Sequence, residues 1–472
     1  MKNSVLVKIF SVLLLGLFCN LYGQSKAKSS FNDVAPTPPM GWNSYDSYGS
    51  TINESQFKAE AKFMKANLLK YGWQYAVIDY LWFNPDPGSW KKTASKYEEQ
   101  NIRLDKNGRP IDTLAMDKYG RLLPAVNRFP SAADGVGFKK IAAYVHSLGL
   151  KFGIHVMRGI PRQAYWDNTP IKGTSYTARD IADTVSADLC KWNNNMYGVD
   201  PQKPGAQAYY NSLLDLYASW GVDFIKVDDI ARPYHKGEIE MVHKAIVHCG
   251  RPIVLSLSPG EAPLSEAQNL IENANMWRIS DDMWDSWKSL KHAFFLLNKW
   301  SPYIQKNHWP DADMLPIGHL SVNNHPVAPA RMSNFTKEET YTLLTLWSVA
   351  RSPLIMGGDL LTSPEWVIKL LQNDEVIKVD QHSTDNHQVY KDADKAIWIA
   401  KDPAANARYV ALFNLKDEPQ MIDFKFDLVP GLKGSCKVRD LWKQEDIGSA
   451  KNHFNILIGP HGAGLFEMIF KK

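Results

Sequence analysis

Cysteine is scarce. The chain of 472 residues carries Cys19, Cys190, Cys249 and Cys436. With Cys19 in an N-terminal leader, three widely spaced cysteines make neither a disulfide framework nor a zinc spacing, and at most one bridge can form. Net charge is also small: 54 Lys and Arg against 50 Asp and Glu leave +4, without a long basic run. Neither nucleic acid nor an anionic membrane surface is therefore an indicated partner. The apolar run from Ile9 to Phe18 falls well short of the roughly 20 residues a membrane span needs, and no other stretch reaches that length. There is no 20-to-50-residue repeat beyond strand-helix alternation, and no low-complexity tract beyond the polar stretch around residues 24–35. No His, Cys or carboxylate cluster has ligand spacing, so no metal and no organic cofactor is implied.

What is present is globular composition, 44% hydrophobic, 12% aromatic and 22% charged, enough to bury more than one core. The N-terminus reads as an export address. Lys2 and Lys8 flank the apolar run, and Gly23 ends Leu21-Tyr22-Gly23 before polar residues, the pattern of a secretory signal peptide. We expect residues 1–23 to be removed after Gly23, residues 24–36 to be a linker, and the protein to be secreted or periplasmic. Lipidation at Cys19 is the less favoured alternative, because bulky Phe18 stands where a small residue normally precedes a lipidated cysteine.

From residue 37 short apolar strands alternate with amphipathic helical stretches. The strand candidates are Met40–Ser44, Tyr75–Phe83, Lys151–Met157, Asp223–Asp229, Ile253–Pro259, Met276–Asp282, Trp309–Leu315 and Pro353–Gly358. Helical patterns such as 54–69, 137–148, 207–220, 238–248 and 287–298 lie between them. Eight strand-helix units over residues 37–380 predict an α/β fold, a TIM (β/α)8 barrel with long insertions, in which catalytic groups sit at the C-terminal ends of strands. Residues 381–472 change texture to short alternating strands at 396–400, 408–414, 421–427, 434–442 and 464–470, which predicts a C-terminal antiparallel β-sandwich domain.

Two acidic motifs end strands about 50 residues apart: Lys226-Val227-Asp228 and Arg278-Ile279-Ser280-Asp281-Asp282. Alternation along a strand puts Lys226 and Asp228 on one face, and groups Arg278 with Asp282 in the same way, while Asp229 points away. A carboxylate beside a cation stays ionised. One acid can thus serve as nucleophile while the other, facing substrate, is held protonated as a donor, which is the division of labour in glycosidic cleavage. The 16 Trp and 20 Tyr suit sugar stacking, although any single Trp is more readily explained as core.

Five ordered motifs resemble glycoside hydrolase family 27, the α-galactosidase and α-N-acetylgalactosaminidase family. They are Thr37-Pro-Pro-Met-Gly-Trp-Asn-Ser44, Asp223-Phe-Ile-Lys-Val-Asp228, Trp277-Arg278 with Asp282, Trp309-Pro-Asp-Ala-Asp-Met-Leu315 and Ser352-Pro-Leu-Ile-Met-Gly-Gly-Asp359. The tail, with Arg439-Asp-Leu-Trp442 and Pro460-His-Gly462, resembles the family's β-domain. The resemblance implies a retaining double displacement with Asp228 as nucleophile and Asp282 as general acid/base, the two carboxyl groups about 5 to 5.5 Å apart. It further implies that Lys226 and Asp79 hold sugar hydroxyls, that Arg278 binds near the 2-hydroxyl, that Tyr45 is an aromatic wall and that His155 is a pocket aromatic. Trp192, with the Asn193-Asn194-Asn195 run, is a candidate lining residue, though a polar surface loop explains the run as well. Asp229 and Asp281 read as capping or pairing residues, and Asp313 and Asp359 as structural supports of loops.

The departures from the family fall in the sugar site. Tyr80 stands where family α-galactosidases usually have a second Asp that helps hold the outer hydroxyls. Ser258 is the match for a strand-five position that is often acidic in α-galactosidases and Ser in N-acetylgalactosaminidases. Ile230 replaces the family's Cys two positions after the nucleophile, so the disulfide that commonly buttresses that loop is absent. The expectation is a hydrolase of terminal α-galactosides acting on an oligosaccharide or polysaccharide. The same mechanism on an α-N-acetylgalactosaminide, β-L-arabinopyranoside or isomaltodextran, and a catalytically silent carbohydrate-binding protein, stand as alternatives.

Overall fold

The computed structural model describes residues 31–87, 102–185, 189–323 and 329–470; the expected signal peptide lies outside the described residues. Eight parallel strands, β1 (Met40–Asn43), β2 (Tyr75–Ile78), β3 (Lys151–Met157), β4 (Phe224–Asp228), β5 (Val254–Leu257), β6 (Met276–Arg278), β7 (Trp309–Asp311) and β8 (Leu354–Met356), pair in sequence order, with β8 beside β1. The β7–β8 seam closes through Leu315, whose N–H donates to Ile355 O at 2.8 Å and whose carbonyl accepts from Gly357 N at 3.0 Å. The result is the expected TIM-type barrel. Its strands are shorter than their apolar runs because the chain leaves the ladder early: β6 ends at Arg278 and β7 at Asp311, before Asp313 takes a φ of 90°.

Helices form where caps and apolar spacing agree. In α1 (Glu54–Asn67), Asn53 and Gln56 make a reciprocal capping box, and Phe57, Ala61 and Met64 are buried at helical spacing, so one face packs on the barrel. The helices α2 (Lys139–Ser147), α3 (Ala206–Trp220), α4 (Lys236–Cys249), α5 (Ala267–Asn273), α6 (Trp287–Trp300) and α7 (Lys337–Ala350) follow β2 to β7 in turn. Inside the barrel, the N-terminal end is filled by Tyr75, Phe224, Val254, Met276 and Trp309, with Val34 and Ala35 packed against them. Trp309 Nε1 donates to Ala35 O at 2.9 Å. That apolar floor, each large side chain contributing about 1.5–3 kcal/mol on burial, leaves the opposite end for polar groups.

The C-terminal domain is an antiparallel sheet of eight strands, β9 (Thr384–Lys391), β10 (Lys395–Asp402), β11 (Ala407–Asn414), β12 (Gln420–Lys425), β13 (Ser435–Asp440), β14 (Glu445–Lys451), β15 (His453–Ile458) and β16 (Ala463–Phe470), in the order β9-β10-β11-β16-β13-β14-β15-β12. It curls over its own core. Along β10 and β11 the two faces separate: Ile397, Ile399, Val410 and Leu412 enter that core, while Ala396, Trp398, Tyr409 and Phe413 join the barrel's. Phe413 meets Phe294 of α6 edge-on at 4.9 Å, and Trp442 Nε1 donates to Thr345 Oγ1 of α7 at 2.8 Å. β9 and β14 escaped the sequence reading because they are largely polar, β14 exposed almost throughout, so no apolar alternation announces them; β15 was missed although Phe454, Ile456 and Ile458 alternate along it.

Candidate active site

The strand ends opposite the apolar floor surround a cavity of about 470 Å³, within the range of a small-molecule site, on the order of 300–1,000 Å³. Tyr45, Asp79, Tyr80, Trp192, Lys226, Asp228 and Asp282 all line it. His155, Ser258 and Arg278 lie just behind its surface, 0%, 1% and 2% exposed; Pro259, next to Ser258, reaches the wall. On β4 the alternation works as expected, Lys226 and Asp228 emerging on the barrel's inner side above Phe224.

Two expectations need correction. Asp282 does not share a strand face with Arg278, since β6 stops at Arg278; a loop brings its Oδ1 to 3.3 Å from Arg278 Nη2 instead. Asp229 does not simply point away, because its φ of 60° breaks the alternation. It touches the cavity and pairs with Arg158 at 3.0 Å.

Lys226 Nζ donates to Asp79 Oδ2 at 3.2 Å, and Asn43 Nδ2 donates to the same oxygen at 2.6 Å. Burial would raise the Asp79 carboxyl, but Lys226, His155 and these hydrogen bonds hold it below the usual range. At Asp228 burial likewise pushes up and is outweighed: the His155 hydrogen bond (3.2 Å), the charges of His155 and Lys226, and Asp229 N–H bring it down to about 2. Asp228 is thus an anion over the whole physiological range. Its side chain is only 17% exposed, whereas that of Asp282 is 63% exposed, at the cavity mouth. An anion within the cavity and a carboxyl on a loop at its mouth suit nucleophile and proton shuttle respectively.

Tyr80 is fully enclosed, 3% exposed. Its hydroxyl accepts from Asn193 Nδ2 and, at 3.3 Å, from Asn195 Nδ2, and its ring stands edge-on to His155 (5.2 Å) and Trp192 (6.2 Å). The Asn run is therefore a buried clamp on a lining residue rather than a surface loop.

Sequence reasoning missed Asp313 and Asp46. Asp313, read as structural, lines the cavity, pairs with Arg278 Nη1 at 2.7 Å and accepts from Met283 N at 2.6 Å, so it fixes both the arginine and the Asp282 loop. Burial raises its carboxyl against the pull of Arg278. Asp46 also lines the cavity, with a buried Oδ2 that has no hydrogen-bond partner. Burial and then Asp313 push it well above the usual carboxylate range, against the pull of Lys226. A Cβ on Gly357 would fall 1.9 Å from that oxygen, which is why glycine stands there. The available signals were the position next to Tyr45 and the acidic pair inside Trp309–Leu315. Asp359, by contrast, supports a loop as read, accepting from Tyr48 and Thr362.

Among the described residues no cluster of His, Cys, Asp or Glu is arranged to hold a metal ion, and no helix is long and apolar enough to cross a membrane. Cys190, Cys249 and Cys436 are free thiols.

Family models described as alpha galactosidase A and as alpha galactosidase C-terminal beta sandwich domain match residues 184–382 and 392–468. Alpha-galactosidase 2 of Arabidopsis thaliana is 26% identical, over 93% of this chain and 91% of that protein. Among solved structures, a GH27 β-L-arabinopyranosidase from Geobacillus stearothermophilus is 48% identical, covering 93% of this chain and 98% of that one, with a TM-score of 0.85. A putative α-N-acetylgalactosaminidase from Bacillus halodurans is 43% identical, covering 92% and 97%, with a TM-score of 0.78. Likeness of this extent, across both domains and around one polar cavity, makes the chain a glycoside hydrolase belonging to glycoside hydrolase family 27.

Proposed function

We propose that the protein is a retaining glycosidase that removes terminal sugars of galacto configuration, and that its preferred sugar is β-L-arabinopyranose, with α-D-galactosides as weaker substrates. Asp228 attacks the anomeric carbon, forming the Asp228–C1 ester as the C1–O bond to the leaving group breaks. Asp282 gives its proton to the departing oxygen. Water then enters at the mouth, Asp282 takes its proton, and the ester opens to release sugar with the starting anomeric configuration. Lys226 and Asp79 hold ring hydroxyls throughout. The depth order supports these roles, since the enclosed Asp228 can reach C1 but not the bulk, and the exposed Asp282 meets both leaving group and water.

The observation that carries the choice of sugar is Tyr80. β-L-Arabinopyranose has the ring hydroxyls of α-D-galactose but no hydroxymethyl group. In this chain the site where an α-galactosidase places an acidic grip on the outer hydroxyls is filled by a neutral ring, its hydroxyl already engaged by Asn193 and Asn195. The likeness to the Geobacillus β-L-arabinopyranosidase, 48% against 26% for the Arabidopsis α-galactosidase, supports the same reading.

The test is turnover of nitrophenyl β-L-arabinopyranoside, α-galactoside, α-N-acetylgalactosaminide and α-glucoside, with the product anomer read by NMR before mutarotation. The expected result is highest kcat/KM on the arabinopyranoside with retention. Inverted product sinks the mechanism, a preferred α-galactoside sinks the sugar, and no turnover on any of the four favours a silent binding protein. We further take residues 1–23 as an export signal, so that the mature chain found outside the cytoplasm begins at Gln24; N-terminal sequencing of exported protein tests this.

A further inference from the structure

Behind the proposed nucleophile lies a buried polar network that none of the steps above uses. β3 ends at Met157, and the next residue, Arg158, is 4% exposed. Its guanidinium Nε donates to Asp229 O at 2.8 Å and to Asp229 Oδ2 at 3.1 Å, and Nη2 donates to Asp229 Oδ2 at 3.0 Å. Nη1 donates to Glu238 Oε1 of α4 at 2.7 Å. Glu238 Oε2 accepts from the Tyr210 hydroxyl of α3, which in turn accepts from Gly159 N at 3.0 Å. The backbone N–H of Arg158 donates to Asp228 O at 3.0 Å. One side chain thus ties the loop after β3 to the loop after β4 and anchors both to two helices.

What it holds is a strained turn. Asp229 has a φ of 60°, a left-handed conformation that costs a residue with a Cβ free energy unless its surroundings enforce it. In that conformation Asp229 N–H points back and donates to Asp228 Oδ1 at 2.9 Å. Asp228 Oδ2 is held separately by His155 Nε2 at 3.2 Å. The carboxylate that must reach C1 is therefore aimed by two contacts, and one of them exists only while Asp229 keeps its turn. The next residue, Ile230, is fully buried and apolar, so it adds no polar tie to the turn.

We infer that Arg158 is a positioning residue for the glycosyl-transfer step: by clamping Asp229 in its left-handed turn it aims the Asp228 carboxylate. It touches neither the cavity nor, on this reading, the substrate. The inference rests on the assignment of Asp228 as nucleophile.

The clamp predicts a loss in the chemical step rather than in sugar binding. Misplacing a reacting atom by about 1 Å can cost on the order of 100-fold in rate, while Asp79 and Lys226 still grip the ring. For Arg158→Met, kcat on 2,4-dinitrophenyl β-L-arabinopyranoside, per mole of folded protein, is expected to fall 10- to 100-fold. The Kd for free L-arabinose should stay within about threefold. Arg158→Lys, which keeps one charged donor but not the fork, should recover part of the loss. Should Arg158→Met not fold, because two buried carboxylates lose their partner, the neutral triple variant Arg158→Met/Asp229→Asn/Glu238→Gln takes its place, with the same expected loss of kcat. A folded variant with kcat within threefold of wild type, or a loss confined to Kd, overturns the inference. Trapping wild type with a 2,2-difluorinated dinitrophenyl β-L-arabinopyranoside or α-galactoside and mapping the labelled peptide tests the underlying reading separately. Label on Asp228 together with an unaffected Arg158 variant sinks only the positioning role; label on another residue sinks both.

Discussion

Replacing Tyr80 with Asp puts the sugar assignment at most risk. Tyr80 closes the cavity wall with a neutral ring whose hydroxyl is fastened by Asn193 and Asn195, 1% and 0% exposed. Tyr80→Asp removes the ring, opens room beside the hydroxyl grip of Asp79 and Lys226, and installs a carboxylate that a 6-hydroxyl can donate to. A hydrogen bond to a charged group is worth about 1.5–3 kcal/mol, or roughly 10- to 150-fold in kcat/KM if it is realised in the transition state. Two terms oppose it. The Asn amides lose their shared acceptor, at about 1–3 kcal/mol of stability, and the new carboxylate lies one residue from the ionised Asp79, which works against both being charged. Lys226, held above its usual range by Asp79 and Asp228 against the effect of burial, offsets part of that repulsion. The net expectation is a gain of about tenfold on nitrophenyl α-galactoside and a loss on the arabinopyranoside, in a protein with a lower thermal midpoint. Tyr80→Phe is the control. It keeps the ring and strands only the amides, so it should lower the midpoint and leave the sugar preference unchanged. A wild type already more efficient on the α-galactoside, and damaged on it by Tyr80→Asp, refutes the reasoning, because the phenol would then be gripping the sugar itself.

Other consequences are equally direct. Asp228→Asn should reduce turnover to a trace, whereas Asp282→Ala with added azide should release a glycosyl azide of retained configuration from a dinitrophenyl glycoside, since the nucleophile survives and that leaving group needs no acid; an azide of inverted configuration contradicts the pair. Glu60, fully buried, is raised to about 10, chiefly by burial and then by its hydrogen bond with Asp359, and the Tyr48 hydroxyl lies within hydrogen-bond reach of both carboxyl groups. A carboxyl whose folded pKa lies above its unfolded value stabilises most below about pH 4.5 and loses that contribution as pH rises toward 10, at about 1.4 kcal/mol per pH unit. Glu60→Gln, which cannot ionise, should therefore flatten the fall of the thermal midpoint between pH 6 and 9; unchanged slopes in the two proteins argue against a protonated Glu60. With Cys190, Cys249 and Cys436 free, reductant should leave the thermal midpoint within a few degrees, and a large drop would reveal a bridge the fold does not have.

Much of the barrel was legible because its signals are local. Period-two apolar runs separated by amphipathic stretches predicted β1 to β8 and the helices between them, and alternation alone put Lys226 and Asp228 on the inner face of β4. The same reasoning failed where the backbone leaves a regular path. Parity grouped Arg278 with Asp282 along a strand that ends at Arg278, and it turned Asp229 away although a positive φ swings it round. Polar strands β9 and β14 carried no apolar period to read, whereas β15 was passed over although Phe454, Ile456 and Ile458 alternate along it.

By itself the sequence determined the (β/α)8 order, the change to antiparallel strands near its C-terminal end, and the residues that could carry acid, base and cation at strand ends, because each depends on spacing within about ten residues. Only the tertiary structure decided which of them meet. Asn193 closes on Tyr80 across 113 positions, Arg158 reaches Asp229 across 71, and Arg278 finds Asp313 rather than Asp282 as its shortest partner. Contacts of that kind are set by where barrel strands end and how loops fold back over them, and no periodicity in the chain encodes that geometry.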